Sequence, residues 1–465
     1  MESQEEVRAS RRPYAILFAA LCAMLLLGIA TGRAQDSHYW NVFYGTYPTL
    51  LGGTVIGSPS DLSGSFYNPG FRPASKSGEL LLAAQLYQYE SLNLEGNLGN
   101  TIPLSGSSLA VSPSLVAGNF PGSDTSSSDR LTYSLLARQH ADFDIQGRLT
   151  SGGTTQGDAK SGELILQQRL SEYWAGFTWT KQLSQAWSAG VTNYVAFRSQ
   201  TRRLALSVHG FADSSSSLAT MSYTDLVDYY HVRLLWKFGV GYQEGTFSAG
   251  ATVTTPSISI MGDGEYYRQE GLGGYAGEPT FFAASSQKEL TTKYQSSWAV
   301  GGGLAYVFED VKLYLSAEWY APVPRYDILE TRDFAAASNG VTVSASVVQE
   351  LEPVFNYGAG IEIFPGWPWS YFASFVTDYA AVDPAKENTV ALTVWDLYHV
   401  AAGGVATFGR YRLTLGASIA VGSGNAQTLS DLGSLIGNNT DFVTSTSYDG
   451  KYFRAQLIAA LSVAL

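Results

Sequence analysis

The chain has 465 residues, with 48 Gly, 29 Tyr, 22 Phe and 10 Trp, only 15% charged residues and a formal net charge of −12. Soluble proteins carry roughly 25% charged residues, and nucleic-acid binders cluster their basic ones; this chain does neither, so nucleic acid is not among its expected partners. Cys22 is the only cysteine, which removes disulfides and thiolate metal sites from everything that follows it.

Residues 1–34 read as a secretory signal peptide. Arg8, Arg11 and Arg12 form a basic start, Ala15–Ile29 an apolar stretch, and Gly32 and Ala34 supply the small residues of a cleavage site after Ala34. An uncleaved anchor is the alternative. Residues 35–76 are rich in Gly, Ser and Pro, the composition of a linker, yet they carry Tyr39, Trp40, Phe43, Tyr44, Tyr47, Phe66, Tyr67 and Phe71. A segment with that much ring surface gains by burying it. It is expected to pack inside whatever the rest of the chain builds.

From residue 77 onward the apolar residues alternate, the period of a strand. In the last segment Phe453, Ala455, Leu457, Ala459, Leu461, Val463 and Leu465 share one face, with Tyr452, Arg454, Gln456 and Ile458 on the other. Val311–Val323 repeats the pattern, with Lys312, Tyr314, Ser316, Glu318 and Tyr320 on its mixed face. Leu131–Gln146 reads likewise, with Leu131, Tyr133, Leu135, Phe143 and Ile145 on one side and Arg138, His140, Asp142, Asp144 and Gln146 on the other. The reading predicts about fourteen strands, most longer than the 9–11 residues that a tilted strand needs to cross a bilayer. They fall near 78–90, 109–119, 131–147, 163–180, 186–208, 222–240, 245–260, 289–307, 311–328, 346–364, 369–381, 393–408, 410–422 and 448–465.

Tight connections near Lys181–Gln185, Gly241–Glu244, Phe308–Asp310, Pro365–Pro368 and Gly409, with a moderately short one at Phe120–Arg130, alternate with long polar ones at 91–108, 148–162, 209–221, 261–288, 329–345, 382–392 and 423–447. Strict alternation places the tight turns at one end and the long loops at the other. That is the layout of a transmembrane antiparallel β-barrel of the bacterial outer membrane. Such a barrel also explains the many Tyr and Trp, which suit membrane–water interfaces. A secreted β-propeller or β-helix is the soluble alternative, but no repeat of about 40–50 residues is visible.

Export signal, aromatic Gly-rich segment with Phe66-Tyr67-Asn68-Pro69-Gly70, then a barrel: this order resembles the FadL/TodX (OMPP1) family of outer-membrane transport proteins. The family's N-terminal hatch carries an Asn-Pro-Ala-like motif, and Val253-Thr254-Thr255-Pro256-Ser257-Ile258 with Gly262 and Gly264 resembles its mid-barrel signature. Gly70 stands where the family has Ala, and the chain ends in Leu465 instead of Phe. The resemblance implies a hatch at 35–76, a barrel at 77–465, and passive uptake of long-chain fatty acids or aromatic hydrocarbons. Related transporters kink the strand that corresponds to 131–147. No Gly or Pro precedes Gly147 there, so no kink is expected.

The hatch turn is expected at Tyr67, Asn68, Pro69 and Gly70. Pro69 fixes φ, Gly70 permits a turn closed to other residues, and Asn68 bonds its own backbone or the wall. Candidate lumen-lining residues are Arg138, His140, Asp142, Arg198, His231, Arg233, Glu318 and Glu362, joined by Asp144, Lys237, Lys312, Arg412 and Arg454. Each is also explained by an ion pair of a barrel interior. No catalytic, metal or cofactor site is expected. G-x-S-x-G and H-E-x-x-H are absent, and Asp263 and Glu265 lack the spacing of a calcium loop. Expected partners are a hydrophobic small-molecule ligand, outer-membrane lipid and lipopolysaccharide, and the barrel assembly machinery. The alternatives are an adhesive barrel with interacting loops and a barrel-embedded lipid enzyme.

Overall fold

Alternation of apolar residues with small or polar ones has to produce strands whose two faces meet different surroundings. The computed structural model describes residues 37–59, 61–71, 79–95, 104–120, 128–151, 160–212, 217–274, 279–363, 368–383, 395–426 and 448–464. The expected signal peptide at 1–34 lies outside the described residues. Two four-residue helical turns come first, α1 (Tyr47–Leu50) and α2 (Gly64–Tyr67). The first run of strands is β1 (Glu79–Glu95), β2 (Leu104–Asn119), β3 (Asp129–Ser151), β4 (Lys160–Gln182), β5 (Trp187–Ala212), β6 (Ser217–Glu244) and β7 (Phe247–Thr254). Then come β8 (Ile258–Gly273), β9 (Phe281–Thr291), β10 (Ala299–Phe308), β11 (Val311–Tyr320), β12 (Val323–Leu329), β13 (Phe334–Ala335), β14 (Thr342–Val343) and β15 (Val347–Leu351). The last are β16 (Val354–Ile363), β17 (Trp369–Asp378), β18 (Leu397–Phe408), β19 (Tyr411–Ala426) and β20 (Tyr448–Ala464).

Fourteen of these strands close an antiparallel barrel. The ring runs β1 to β7, then β10, β11 and β16 to β20, and β20 returns to β1. Closure gives every strand of the ring a neighbour on both sides, which is what a spanning sheet needs. Strand ends at Gln182/Trp187, Glu244/Phe247, Phe308/Val311 and Phe408/Tyr411 are joined tightly at one end of the ring. Both described chain ends of the ring, Glu79 and Ala464, are paired at that same end.

The long connections differ from expectation. The stretches read as loops at 261–288 and 329–345 hold strands. β6 is 28 residues long, and its upper part pairs with β8, which pairs with β9. β12 pairs with β15, above β11 and β16. The wall therefore continues upward on one side. These strands alternate less cleanly because water meets much of both faces there.

The outward faces carry two aromatic rows. Trp187–Tyr242, Tyr242–Phe247 and Trp369–Phe408 contacts mark the tight-turn end. Phe197–Tyr230, Trp298–Trp319, Phe375–Tyr398 and Tyr357–Tyr379 contacts mark a second row above it. Between them lie exposed aliphatics such as Leu315, Leu415 and Leu457. A greasy band between two aromatic girdles is the outer surface of a membrane barrel. Among the described residues no helix is long and apolar enough to cross a membrane.

Candidate functional site

Residues 37–59 and 61–71 lie inside the ring, nearly all buried. Asp61 organises the segment: its carboxylate accepts from Thr46 N and Oγ1, both at 2.8 Å, and from Ser63 N at 2.9 Å. The Tyr67 hydroxyl oxygen accepts from Tyr44 N at 2.8 Å, fixing two distant parts of the segment together. The segment then spreads over the wall. Ser65 O accepts from Thr192 and Tyr194 of β5, both at 2.7 Å, and Leu50 O from Ser374 of β17 at 2.9 Å. Its first residues are held by Asp378, whose Oδ1 accepts from Tyr39 N and Trp40 N at 3.1 and 2.8 Å. Arg454 donates to Asn41 O at 2.8 Å.

The Asn68-Pro69-Gly70 turn sits against β4 and β6. Asn68 is fully buried; its Oδ1 accepts from Gly70 N at 2.8 Å, and its Nδ2 donates to Ile56 O at 2.9 Å and Val240 O at 3.1 Å. Thr180 donates to Pro69 O at 2.8 Å. Gly70 is not in the left-handed region that the sequence reading gave it. It is needed for close approach, because a Cβ there would stand 2.6 Å from Gly239 C and Val240 Cα.

Above the segment runs a charged belt. Glu172 of β4 accepts from Arg198 of β5 at 2.9 Å, Arg233 of β6 at 2.5 Å and Trp174 Nε1 at 2.6 Å. Arg198 reaches on to Gln139 at 2.7 Å and Gln200 at 2.8 Å, while Arg233 donates to Ser296 at 2.9 Å. Both guanidinium groups lie over the Tyr294 ring, at 4.0 and 4.8 Å from its centre, an attractive placement of cation on π-face. Lys237 pairs with Glu318 at 3.3 Å, and Glu318 also accepts from Trp40 Nε1 at 3.1 Å. Desolvated charges need such multiple partners to persist. A cavity of about 70 Å³ lies here, bordered by Arg138, Arg233, Lys237, Tyr39, Phe66 and Tyr294. Arg138 and Arg233 each keep one buried guanidinium nitrogen with no hydrogen-bond partner among the described residues. Beyond the belt the inward faces turn apolar, with Phe143, Ile145, Leu164, Leu166, Leu204, Leu206 and Met221 in one buried cluster.

The wall beside the belt is broken. β2 and β3 pair at Ser105↔Gln146 and again from Leu115↔Leu136, with no pair between. Each strand bulges against its other neighbour at this level: β3 at Arg138 and β2 at Ser114, and β1 bulges between Gln85 and Gln88. Arg138, the extra residue, turns inward and donates to Tyr39 O at 2.6 Å. Tyr44 donates to Ala137 O at 3.0 Å. Burial pushes the Tyr44 hydroxyl up to about 12, so it stays a neutral donor. Contrary to the expectation of an unkinked strand, β3 is disrupted, through a bulge and not through Gly or Pro.

One extra residue reverses every side chain beyond it. This corrects three expected lumen residues. His140 and Asp142 lie opposite Ser171 and Arg169, on the outward face of β4 that also carries Tyr173 and Phe177, and Asp144 follows them outward. Asp142 makes an exposed ion pair with Arg169 at 3.6 Å. The structure brings Arg138, Arg198, Arg233, Lys237 and Glu318 together at the belt. His231 is buried beside them, with neither ring nitrogen hydrogen-bonded among the described residues. Glu362 sits lower, accepting from Tyr314 at 2.6 Å, and Lys312 donates to Ser58 at 2.7 Å. Glu265, weighed for calcium, pairs with Lys288 at 3.4 Å. Sequence reasoning missed Glu172, Tyr294 and Asp378. Glu172 was findable: it shares the even-numbered face of β4 with Trp174, Thr178 and Thr180, a lone acid on an inward row.

No family model matches the chain, and no curated protein sequence matches it. Solved structures do. The toluene transporter TodX of Pseudomonas putida aligns with 91% of this chain and 99% of its own at 13% identity and a TM-score of 0.56. The toluene transporter TbuX of Ralstonia pickettii aligns with 91% and 98% at 10% identity and a TM-score of 0.54. A Pseudomonas aeruginosa FadL homologue aligns with 94% and 100% at 11% identity and a TM-score of 0.52. The chain has the FadL/TodX fold. At this identity the likeness covers the architecture of the FadL/TodX barrel from end to end and does not carry individual residues across.

Proposed function

We propose that the protein is an outer-membrane channel for passive uptake of hydrophobic small molecules, with residues 35–76 acting as its hatch. The observation that carries this reading is the vertical order of the lumen: apolar cluster, charged belt, then a segment that fills the base. An apolar molecule gains by entering the upper cluster, at about 25 cal/mol per Å² removed from water. Straight descent is blocked by residues 37–71, so the exit is lateral, through the β2–β3 gap, where unpaired backbone faces the belt. Irregular backbone at membrane depth is tolerated where it lines a cavity.

Between the two ligand classes, the belt favours an amphipathic molecule with a carboxylate end. Two buried guanidinium nitrogens without partners border a cavity large enough for such a group. The test is uptake of radiolabelled oleate and toluene by cells with and without the protein. The expected outcome is faster entry of both with the protein present, oleate gaining more. Equal uptake by both cell lines for both compounds rejects the channel, and a gain for toluene alone rejects the carboxylate preference.

A further inference from the structure

The Thr255-Pro256-Ser257 motif has no part in the passage described so far. It falls where β7 gives way to β8. Ladder pairs join β7 to β10 up to Thr254↔Ala299 and resume between β8 and β9 at Asp263↔Thr291. Between them, Thr255–Gly262 faces Thr292–Trp298 with no strand pair. Pro256 has no N–H to offer a ladder. The two sides are joined by one side chain: Ser257 Oγ accepts from Ser296 N at 3.0 Å and donates to Tyr294 O at 3.5 Å. On its other side the 292–298 stretch is well held, Lys293 N donating to Ile328 O at 2.8 Å and Ala321 N to Trp298 O at 2.9 Å. The 255–262 side is held likewise on its far edge, Thr255 N donating to Trp236 O at 2.9 Å and Ile258 and Gly262 pairing with Leu234 and His231 of β6. The break is therefore a seam between two lips, each anchored away from it and bridged across it through Ser257.

The wall beside this seam is a single strand thick between two spaces. Ser297 and Ala299 border the 70 Å³ belt cavity, while the alternating Trp298 and Val300 border a recess of about 1100 Å³ on the outer face. That recess is floored by Gly302, Ala251 and Ala317 and rimmed by Trp187, Trp319 and Tyr357. It is apolar, it lies in the band that reads as lipid-facing, and its upper end meets the seam. Ile258, Ile260 and Met261 stand exposed on the β8 lip. Tyr294, beneath Arg198 and Arg233, closes the seam from inside.

We propose that this seam is a second lateral passage, and that an apolar small molecule crossing it rests in the outer recess before entering the bilayer. The inference rests on the uptake reading above. It is tested in cells lacking their own copy and carrying the full chain, by uptake of radiolabelled toluene and oleate. Two variants probe different parts. Ser257→Cys with Ser296→Cys ties the lips, in a chain whose only other cysteine lies in the expected signal peptide. Gly302→Phe fills the recess, and a Cβ at Gly302 meets nothing nearer than Gly250 O at 4.0 Å, so the strand accommodates it. Both are expected to show the wild type's heat-modifiable gel migration and to lose more than half of the protein-dependent uptake, the cysteine pair recovering it with dithiothreitol. Wild-type uptake in Gly302→Phe and in the cross-linked pair overturns the passage while leaving the channel standing. A wild-type chain that adds no uptake over the null strain overturns both.

Discussion

The β2–β3 gap and the Pro256 seam interrupt the same wall by opposite means. At the first, extra residues are added: Ser114 and Arg138 each bulge away from one neighbour, and the register between β2 and β3 is the same on both sides of the gap. At the second, hydrogen-bonding capacity is removed by proline and the facing stretch dips inward. The first is backed by the N-terminal segment, through Tyr39 O and Tyr44, and the second by the barrel's own Tyr294. The contrast teaches that the first break is hydrogen-bonded to the N-terminal segment, whereas the second rests on a residue of the barrel and meets that segment only across the belt cavity, at Tyr39. Both still lean on one residue. Glu172 reaches Gln139 beside the first through Arg198, and Ser296 beside the second through Arg233.

The largest expected effect comes from that shared residue. Glu172→Ala leaves two buried guanidinium groups without their counter-charge and is expected to cost about 3–5 kcal/mol, with faster amide exchange at both breaks. Exchange rising at only one of them refutes the shared anchor. Next is Tyr294→Ala, which opens space behind the seam and removes the ring beneath both arginines, a cost of about 3 kcal/mol by analogy with large aromatic truncations. Amides of 292–298 should lose protection while those of 137–141 keep theirs; a change spread evenly over both erases the distinction. Smallest is Tyr44→Phe. It removes one hydrogen bond at the first break, about 1 kcal/mol, and should speed exchange near Arg138 alone, as read by the same exchange measurement.

Much of this was legible in the sequence, and the failures have physical causes. β11 and β20 have no register shift along their whole ladders with β10 and β19, so parity assigned Glu318, Arg454 and Gln456 inward directly. β3 misled because its odd positions are apolar for two reasons. Tyr133 and Leu135 face outward below the bulge, and Phe143 and Ile145 face the apolar upper lumen above it. The flip leaves the pattern unbroken, so His140 and Asp142 were assigned to the wrong side. The segment's burial was readable from its rings, whereas its anchor Asp378 lies 338 positions beyond Trp40 and only closure of the barrel brings the two together. Whether residues 35–76 gate or merely seal is what the coupling to Arg138 now makes measurable.

The lower wall carries one further consequence. At five positions the wall leaves no room for a side chain against the segment: a Cβ on Gly190 or Gly239 would collide with the Asn68-Pro69-Gly70 turn, on Gly303 with Gly57, and on Gly403 or Gly416 with Leu50. These glycines are the cast of a particular object. Neither the cast nor the object can be altered alone, since a larger residue on one demands a smaller one on the other, across strands that span most of the chain. The lower barrel is in this sense committed to its own N-terminus, and exchanging that segment for a relative's would leave a stopper that does not fit its bottle.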